Sequence, residues 1–280
     1  MARTCRFNPG AQPLPHTPVS RLLLLASLAL GSACSSTAPS TTAVGDDAYQ
    51  RLMKLAADVD ARGDSGTAAT LYQRAAEQPG AGFEAWHQLG RARLDSGDAA
   101  GAEQAYRKAL ALQPDNPQGL LGLGTAQLRL GYPERAQPLL GAAAESLRDD
   151  ARVFNRLGVA EALLGNTAAM QRAFARARLL SPDDLDARSN LALAYALNGQ
   201  TQAALEEIDG LDREPAAQAR QQRNVLLIRV LAGQNGELAK VRLDDTNAAQ
   251  RQALIAEARR IAAIEDAAER ARALGLADER

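Results

Sequence analysis

Few of the 280 residues carry side chains that could do covalent or acid–base chemistry near neutral pH. The cysteines are Cys5 and Cys34, and only one histidine, His87, lies beyond Cys34. A zinc site, a Ser-His-Asp relay or a Cys-His pair each needs a second ligand or base beside it, and none is available. Asp149-Asp150, Asp183-Asp184 and Asp244-Asp245 are acidic pairs, a residue type that could share acid–base work or hold calcium. They recur, however, at the corners between segments, where helix capping calls for carboxylates. Gly122 and Gly124 form a short G-L-G inside an apolar, helix-like stretch, with no preceding strand to make a phosphate loop. The expectation is a chain that is not an enzyme, with no catalytic residue, metal site, cofactor or small-molecule substrate. His87 then reads as a solvated or partner-contacting side chain.

Cys34 is a different matter. Arg3, Arg6 and Arg21 are basic, and no acid precedes Asp46. Leu22 to Leu30 read LLLLASLAL, followed by Gly31-Ser32-Ala33-Cys34. A basic stretch, a short apolar run and small residues make a secretory signal. The run is too short to cross a hydrocarbon core of ~30 Å as a helix. The segment ending at Cys34 resembles a bacterial lipobox, in which the cysteine becomes the lipidated first residue of the mature chain. Ser32 and Ala33 fit that pattern, whereas Gly31 stands where leucine is usual and Leu30 is one place early. The alternative is an ordinary signal peptide with an incidental cysteine. Lipidation would consume a thiol left unpaired once Cys5 is cut away. Each buried acyl methylene contributes ~0.8 kcal/mol to such an anchor. Serine at position 35, by the rule for such lipoproteins, implies sorting to the outer membrane, periplasmic face. Residues 1–33 are thus expected to be a lipoprotein signal peptide and 34–46 the lipidated cysteine with a flexible tether. The stretch SSTAPSTTAVG could reach about 36 Å when extended, with Asp46 or Asp47 capping the first helix.

The rest of the chain must supply the scaffold. Hydrophobic residues make up 46% of the sequence and charged residues 23%, but aromatics only 4%. That bias favours helices packed closely through small residues over strands. A net charge of −1 gives no surplus to capture a nucleic-acid backbone. Glycines stand at 63, 97, 131, 165, 199 and 233, a constant spacing of 34. Seven residues before each lies a small residue (Ala56, Gly90, Gly124, Gly158, Ala192), with Leu226 the exception. Leu55, Leu89, Leu123, Leu157, Leu191 and Val225 precede these. Ala68, Ala102, Ala136, Met170 and Ala204 follow the glycines, and then Tyr72, Tyr106, Leu140, Phe174 and Ile208.

This pattern resembles the tetratricopeptide repeat (TPR), most fully in Trp86, Leu89, Gly90, Gly97, Ala102, Tyr106, Ala109 and Pro114. The resemblance implies an all-α TPR solenoid of about five to six helix pairs over 47–244, the last pair degenerate, with Arg242 where an aromatic belongs. Small residues would let the two helices of a unit approach, and glycine would make the turn between them. Pro138 falls inside the third unit's second helix and is expected to kink or delay it. Residues 245–280 read as a C-terminal capping helix through Leu254, Ile255, Ala258, Ile261 and Ala262, then a frayed tail.

A stack of such units makes a concave groove. Carried over from the family, its lining includes His87, Arg91, Leu121, Thr125, Leu128, Asn155, Val159, Leu163, Ser189, Leu193 and Leu197. The groove is polar at first and apolar from Leu121 to Leu197. The carboxylate clamp of chaperone-binding TPRs is absent, since Met53 and Ala57 occupy those positions. An amphipathic helix or an extended apolar peptide would suit it, unless these leucines pack against neighbouring units or the C-terminal helix. If the groove is open, Leu128→Asp or Leu163→Asp should abolish partner capture without loss of helicity.

The stretches LLGLGTAQLRLGYPERAQPLLGAAAE, VFNRLGVAEALLGNTAAMQRAFARARLLSPDD and ARSNLALAYALNGQTQAALEEIDGL, with the signal and tether, resemble the TadD family of lipoproteins of the tight-adherence (Flp/Tad) pilus assembly system. The later RQQRNVLLIRVLAGQNGELAKVRL looks like a drifted version of that family's closing segment. The resemblance implies a pilotin-like role, with a secretin or another pilus assembly component as protein partner. It implies membrane attachment through N-terminal acyl chains and no nucleic acid. A type IV pilus pilotin, or an envelope scaffold for cell-wall enzymes, would have nearly the same architecture.

Overall fold

The period of 34 becomes a ladder of antiparallel helices in the computed structural model, which describes residues 41–244 and 246–275. Cys34, the apolar run before it and residues 276–280 lie outside the described residues. The first helices of successive units are α1 (Thr41–Asp60), α3 (Phe83–Asp95), α5 (Pro117–Arg129), α7 (Ala151–Leu163), α9 (Leu185–Leu197) and α11 (Ala219–Leu231). Their partners are α2 (Ser65–Ala76), α4 (Ala99–Leu112), α6 (Pro133–Ser146), α8 (Thr167–Leu180) and α10 (Thr201–Ile208). Each second helix packs on its own first helix and on the first helix of the next unit. Among the described residues there is no strand.

All six periodic glycines have positive φ, from 71° to 87°. At Gly97 the geometry shows why. Its N–H reaches the Leu94 carbonyl and the Asp98 N–H reaches back to the Arg93 carbonyl, closing α3 before the chain reverses. A side chain in that left-handed conformation would be strained. The glycines inside helices do something else. A Cβ on Gly90 would lie 2.8 Å from the Tyr106 ring, and one on Gly158 would lie 2.5 Å from the Phe174 ring. The helices of one unit are therefore as close as a missing methyl group allows, with the aromatic of the second helix filling the notch.

Several details depart from the expectation. The helix containing Asp46 and Asp47 starts at Thr41, so neither aspartate is its cap and the segment read as tether is partly helical. Residues 41–44 hold no helix breaker, and Gly45 costs only about 1 kcal/mol relative to alanine. Pro138 does not delay α6, which starts at Pro133 and runs unbroken to Ser146; Pro138 is exposed there. In the fifth unit, α10 stops at Ile208 because Gly210 turns left-handed, and a short 3-10 turn at Leu211–Arg213 follows. In the sixth, a 3-10 stretch at Asn235–Lys240 replaces the second helix, and Leu238, Val241 and Leu243 are buried in its stead.

The C-terminal segment is two helices. α12 (Ala248–Ala262) packs against α11, and α13 (Ala267–Ala273) turns back to α7. An Asn247–Gln250 capping box starts α12. In the connection after it, the Ile264 carbonyl accepts from Arg270, 2.7 Å from its Nε.

Candidate functional site

One aspartate of each acidic pair serves structure. The Asp150 side chain accepts from the Arg152 N–H (3.0 Å), and Asp184 accepts from the N–H groups of Asp186 and Ala187, each capping a helix. Asp244 is different. Its carboxylate accepts from the buried Gln222 amide at 2.7 Å while its own N–H donates back to Gln222 at 2.9 Å, clasping the chain after the degenerate unit. Asp245 lies outside the described residues. Among the described residues no three His, Cys, Asp or Glu side chains gather as metal ligands.

The groove is formed by the first helices, whose equivalent positions change character along the chain. The ninth position of each unit is exposed Ala57 and half-buried Arg91 in the first two units. It is buried Thr125, Val159, Leu193 and Leu227 in the next four. The groove is thus open at its N-terminal end and closed over most of its length.

The open end is a cleft of about 500 Å³ between α1 and α3, lined by Met53, Ala57, Asp60, Glu84 and Arg91, with Tyr72 behind. The Arg91 guanidinium pairs with the nearly buried Asp60 carboxylate and reaches Asp95 at 3.5 Å. Glu84 is exposed at the rim. Asp60 was not among the expected lining residues. It lies 31 residues before Arg91, three short of the repeat, so the periodic pattern does not mark the pair.

His87 does not face this cleft freely. It stacks on Phe83, centroids 5.3 Å apart, and meets the Tyr106 ring edge-on at 5.7 Å. Its Nδ1 is buried with no hydrogen-bond partner among the described residues. Burial first, then the Arg91 and Arg152 guanidiniums, hold its pKa below the ordinary imidazole value, against the pull of Glu84. The folded state therefore favours neutral imidazole. Its stability contribution is complete above the unfolded pKa near 6.5 and is lost as pH falls towards the depressed folded value. Chemical denaturation midpoints should fall between pH 7 and 5.5, and His87→Phe should flatten that slope. An unchanged slope would show that His87 does not carry it.

The remaining expected groove residues are engaged inside the chain. Asn155 Oδ1 accepts from the Asn190 amide at 2.8 Å, and Ser189 Oγ accepts from the Asn224 amide at 2.9 Å. These bonds form a polar ladder between successive first helices. The Thr125 hydroxyl donates to the Leu121 carbonyl at 2.8 Å, within its own helix. Leu121, Leu128, Val159, Leu163 and Leu193 belong to one buried cluster that also contains Ile255, Ala258 and Ile261 of α12 and Ala271 of α13. Leu197 is half-buried against the same cluster. The expectation of an exposed apolar groove from Leu121 to Leu197 is therefore corrected. Apolar area of that extent gains too much from burial to stay wet, and the C-terminal helices help cover it. Sequence reading missed Ala267, Ala271 and Leu274, whose i, i+4, i+7 spacing signals one apolar stripe but not where it docks.

Comparison with known proteins agrees with this architecture. The family described as the cilia and flagella-associated protein 70 middle TPR-like domain matches residues 52–208, more than half of the chain. No curated protein sequence matches. Among solved structures, pilF of Pseudomonas aeruginosa is similar at 20% identity and a TM-score of 0.60, covering 76% of this chain and 99% of its own. MamA from Desulfovibrio magneticus RS-1 is similar at 21% identity and a TM-score of 0.55, covering 61% and 98%. YrrB, described as a TPR protein with an unusual peptide-binding site, is similar at 22% identity and a TM-score of 0.51, covering 70% and 97%. At these identities the likeness is one of fold.

Proposed function

We propose, from the premise that this chain belongs to the cilia and flagella-associated protein 70 middle TPR-like domain family, that it binds a protein partner along its concave face and catalyses nothing. The observation that carries this reading is the open cleft between α1 and α3, where Asp60, Glu84 and Arg91 surround an apolar floor of Met53 and Ala57. Polar groups at the rim of an apolar floor suit an extended or helical peptide. The description of YrrB, similar in fold, as having a peptide-binding site supports the same reading.

The finer proposal is an outer-membrane lipoprotein, anchored through Cys34, that helps assemble a pilus secretin in the manner implied by the resemblance to the TadD family. Its support is the basic, apolar and small-residue order before Cys34 and the uncharged stretch after it. Cys34→Ala should move the protein from the membrane to the soluble fraction. Full retention by the outer membrane would show that another attachment suffices. Crosslinking the intact protein in its own envelope, followed by mass spectrometry, tests the partner. A secretin as the dominant product supports the pilus reading, and cell-wall enzymes without a secretin would replace it with the scaffold reading.

A further inference from the structure

α13 is an odd element for a solenoid. It has seven residues, and its contacts reach a first helix two units back instead of the end of the stack. It meets α7 and the turn after it, and Ala271 belongs to the buried cluster that also holds Val159 and Leu163 of α7. Its stripe is Ala267, Ala271 and Leu274, of which only Ala271 is fully buried. The approach is close: a Cβ on Gly165 would lie 3.6 Å from the Ala268 Cβ. Yet the packing beneath the C-terminal helices is incomplete. A cleft of about 520 Å³ remains between α11, α12 and the end of α13, lined by Arg223, Leu227, Leu254, Ile261 and Leu274. A short helix with one fully buried residue, seated beside a void, is held far less firmly than the helices below it.

We infer that α13 is a resident ligand of the concave face, covering apolar surface near Val159 and Leu163 until a partner helix of the same chemistry displaces it. That partner is an amphipathic helix with small residues at i and i+4 and a leucine at i+7, the pattern by which Ala267, Ala271 and Leu274 already occupy the site. The connection from Ala263 to Asp266 lets α13 swing away while α12 stays on α11. This rests on the reading of the concave face as the binding surface and adds that its apolar part is available only by exchange. A tethered helix competes at an effective concentration of about a millimolar, so a free helix binds the unaltered chain weakly.

The test uses the full chain and a fluorescent synthetic peptide of residues 264–275, followed by anisotropy up to ~1 mM peptide. Ala271→Glu places a charge in the contact and should unseat the tethered helix. The peptide should then bind at least tenfold more tightly than to the unaltered chain. Gly165→Cys with Ala268→Cys, in a Cys5→Ser/Cys34→Ser background, brings two Cβ atoms within disulfide range, and the strain of a side chain at the left-handed Gly165 is common to the oxidised and reduced forms that are compared. Oxidation should weaken peptide binding at least tenfold relative to the reduced protein. Equal binding by oxidised and reduced protein overturns the inference, as does a folded Ala271→Glu chain with no gain. If Ala271→Glu does not fold, the disulfide pair decides. The peptide is the chain's own, so this result is independent of the envelope partner. A secretin captured equally by locked and unlocked protein would sink the exchange and spare the pilus reading.

Discussion

Gly158→Ala will destabilise the fourth repeat by about 1–3 kcal/mol, a large effect for a single methyl group. The new Cβ would sit 2.5 Å from the Phe174 ring, which is itself 1% exposed and enclosed by the core that runs from α5 to α13. The ring has nowhere to retreat, so α7 and α8 must separate. Phe174→Ala should cost more, about 3–5 kcal/mol, because the notch beside Gly158 becomes a cavity. The decisive comparison is the cycle. In a Phe174→Leu background, which removes the ring edge, the cost of Gly158→Ala should shrink by at least half, as contacting residues couple. Urea unfolding followed by circular dichroism measures all of these. Equal costs in both backgrounds would mean that the aromatic does not set the spacing of the pair. Repeat arrays couple mainly to their neighbours, so damage to the fourth unit should also broaden the transition by separating its two flanks.

Leu163→Asp will act through stability before it acts through binding. Leu163 is 3% exposed and Leu128 is 2% exposed, both in the cluster shared with Ile255, Ile261 and Ala271. Placing a carboxylate there removes apolar contact and leaves a charge without a partner, at a cost of about 3–5 kcal/mol. A lower unfolding midpoint with reduced helicity is the expected result. Normal stability would show that Leu163 reaches water and that α13 does not cover it. By contrast, Glu84 is exposed at the open cleft, and Glu84→Gln should change stability by no more than about 0.5 kcal/mol. Rim substitutions of this kind, rather than Leu128→Asp or Leu163→Asp, separate loss of partner from loss of fold.

The degree to which the fold was legible varies from residue to residue. Gly63, Gly97, Gly131, Gly165, Gly199 and Gly233 all take the left-handed turn that their spacing implies. Gly90, Gly124 and Gly158 all stand opposite Tyr106, Leu140 and Phe174. His87 read as solvated because a first-helix position with a polar residue usually faces the groove. It is instead held between Phe83 and Tyr106, a choice made by two rings whose joint position no spacing rule records. Asn155 and Ser189 are expected as partner contacts because they stand at positions that line the groove in the family the repeats resemble. Their partners lie instead on the equivalent helix of the next unit.

What the sequence determined by itself is the repeating unit: helix pair, glycine turn and close approach through a missing side chain. Each of these depends on residues within one period, and similar local physics repeated over five units, with the glycine turn kept in the sixth, leaves a signal that averages out noise. The proposal that Cys34 carries the lipid anchor stands on the residues before and after it. What only the tertiary structure decided is how much of the concave face is open. That depends on α13 meeting α7 across about a hundred residues of chain, a contact made once, by small apolar residues that would look the same against water or against any other helix. Periodic contacts announce themselves by recurrence; a single long-range contact carries no such mark, and only the folded chain shows that the stripe on α13 finds its cover at home.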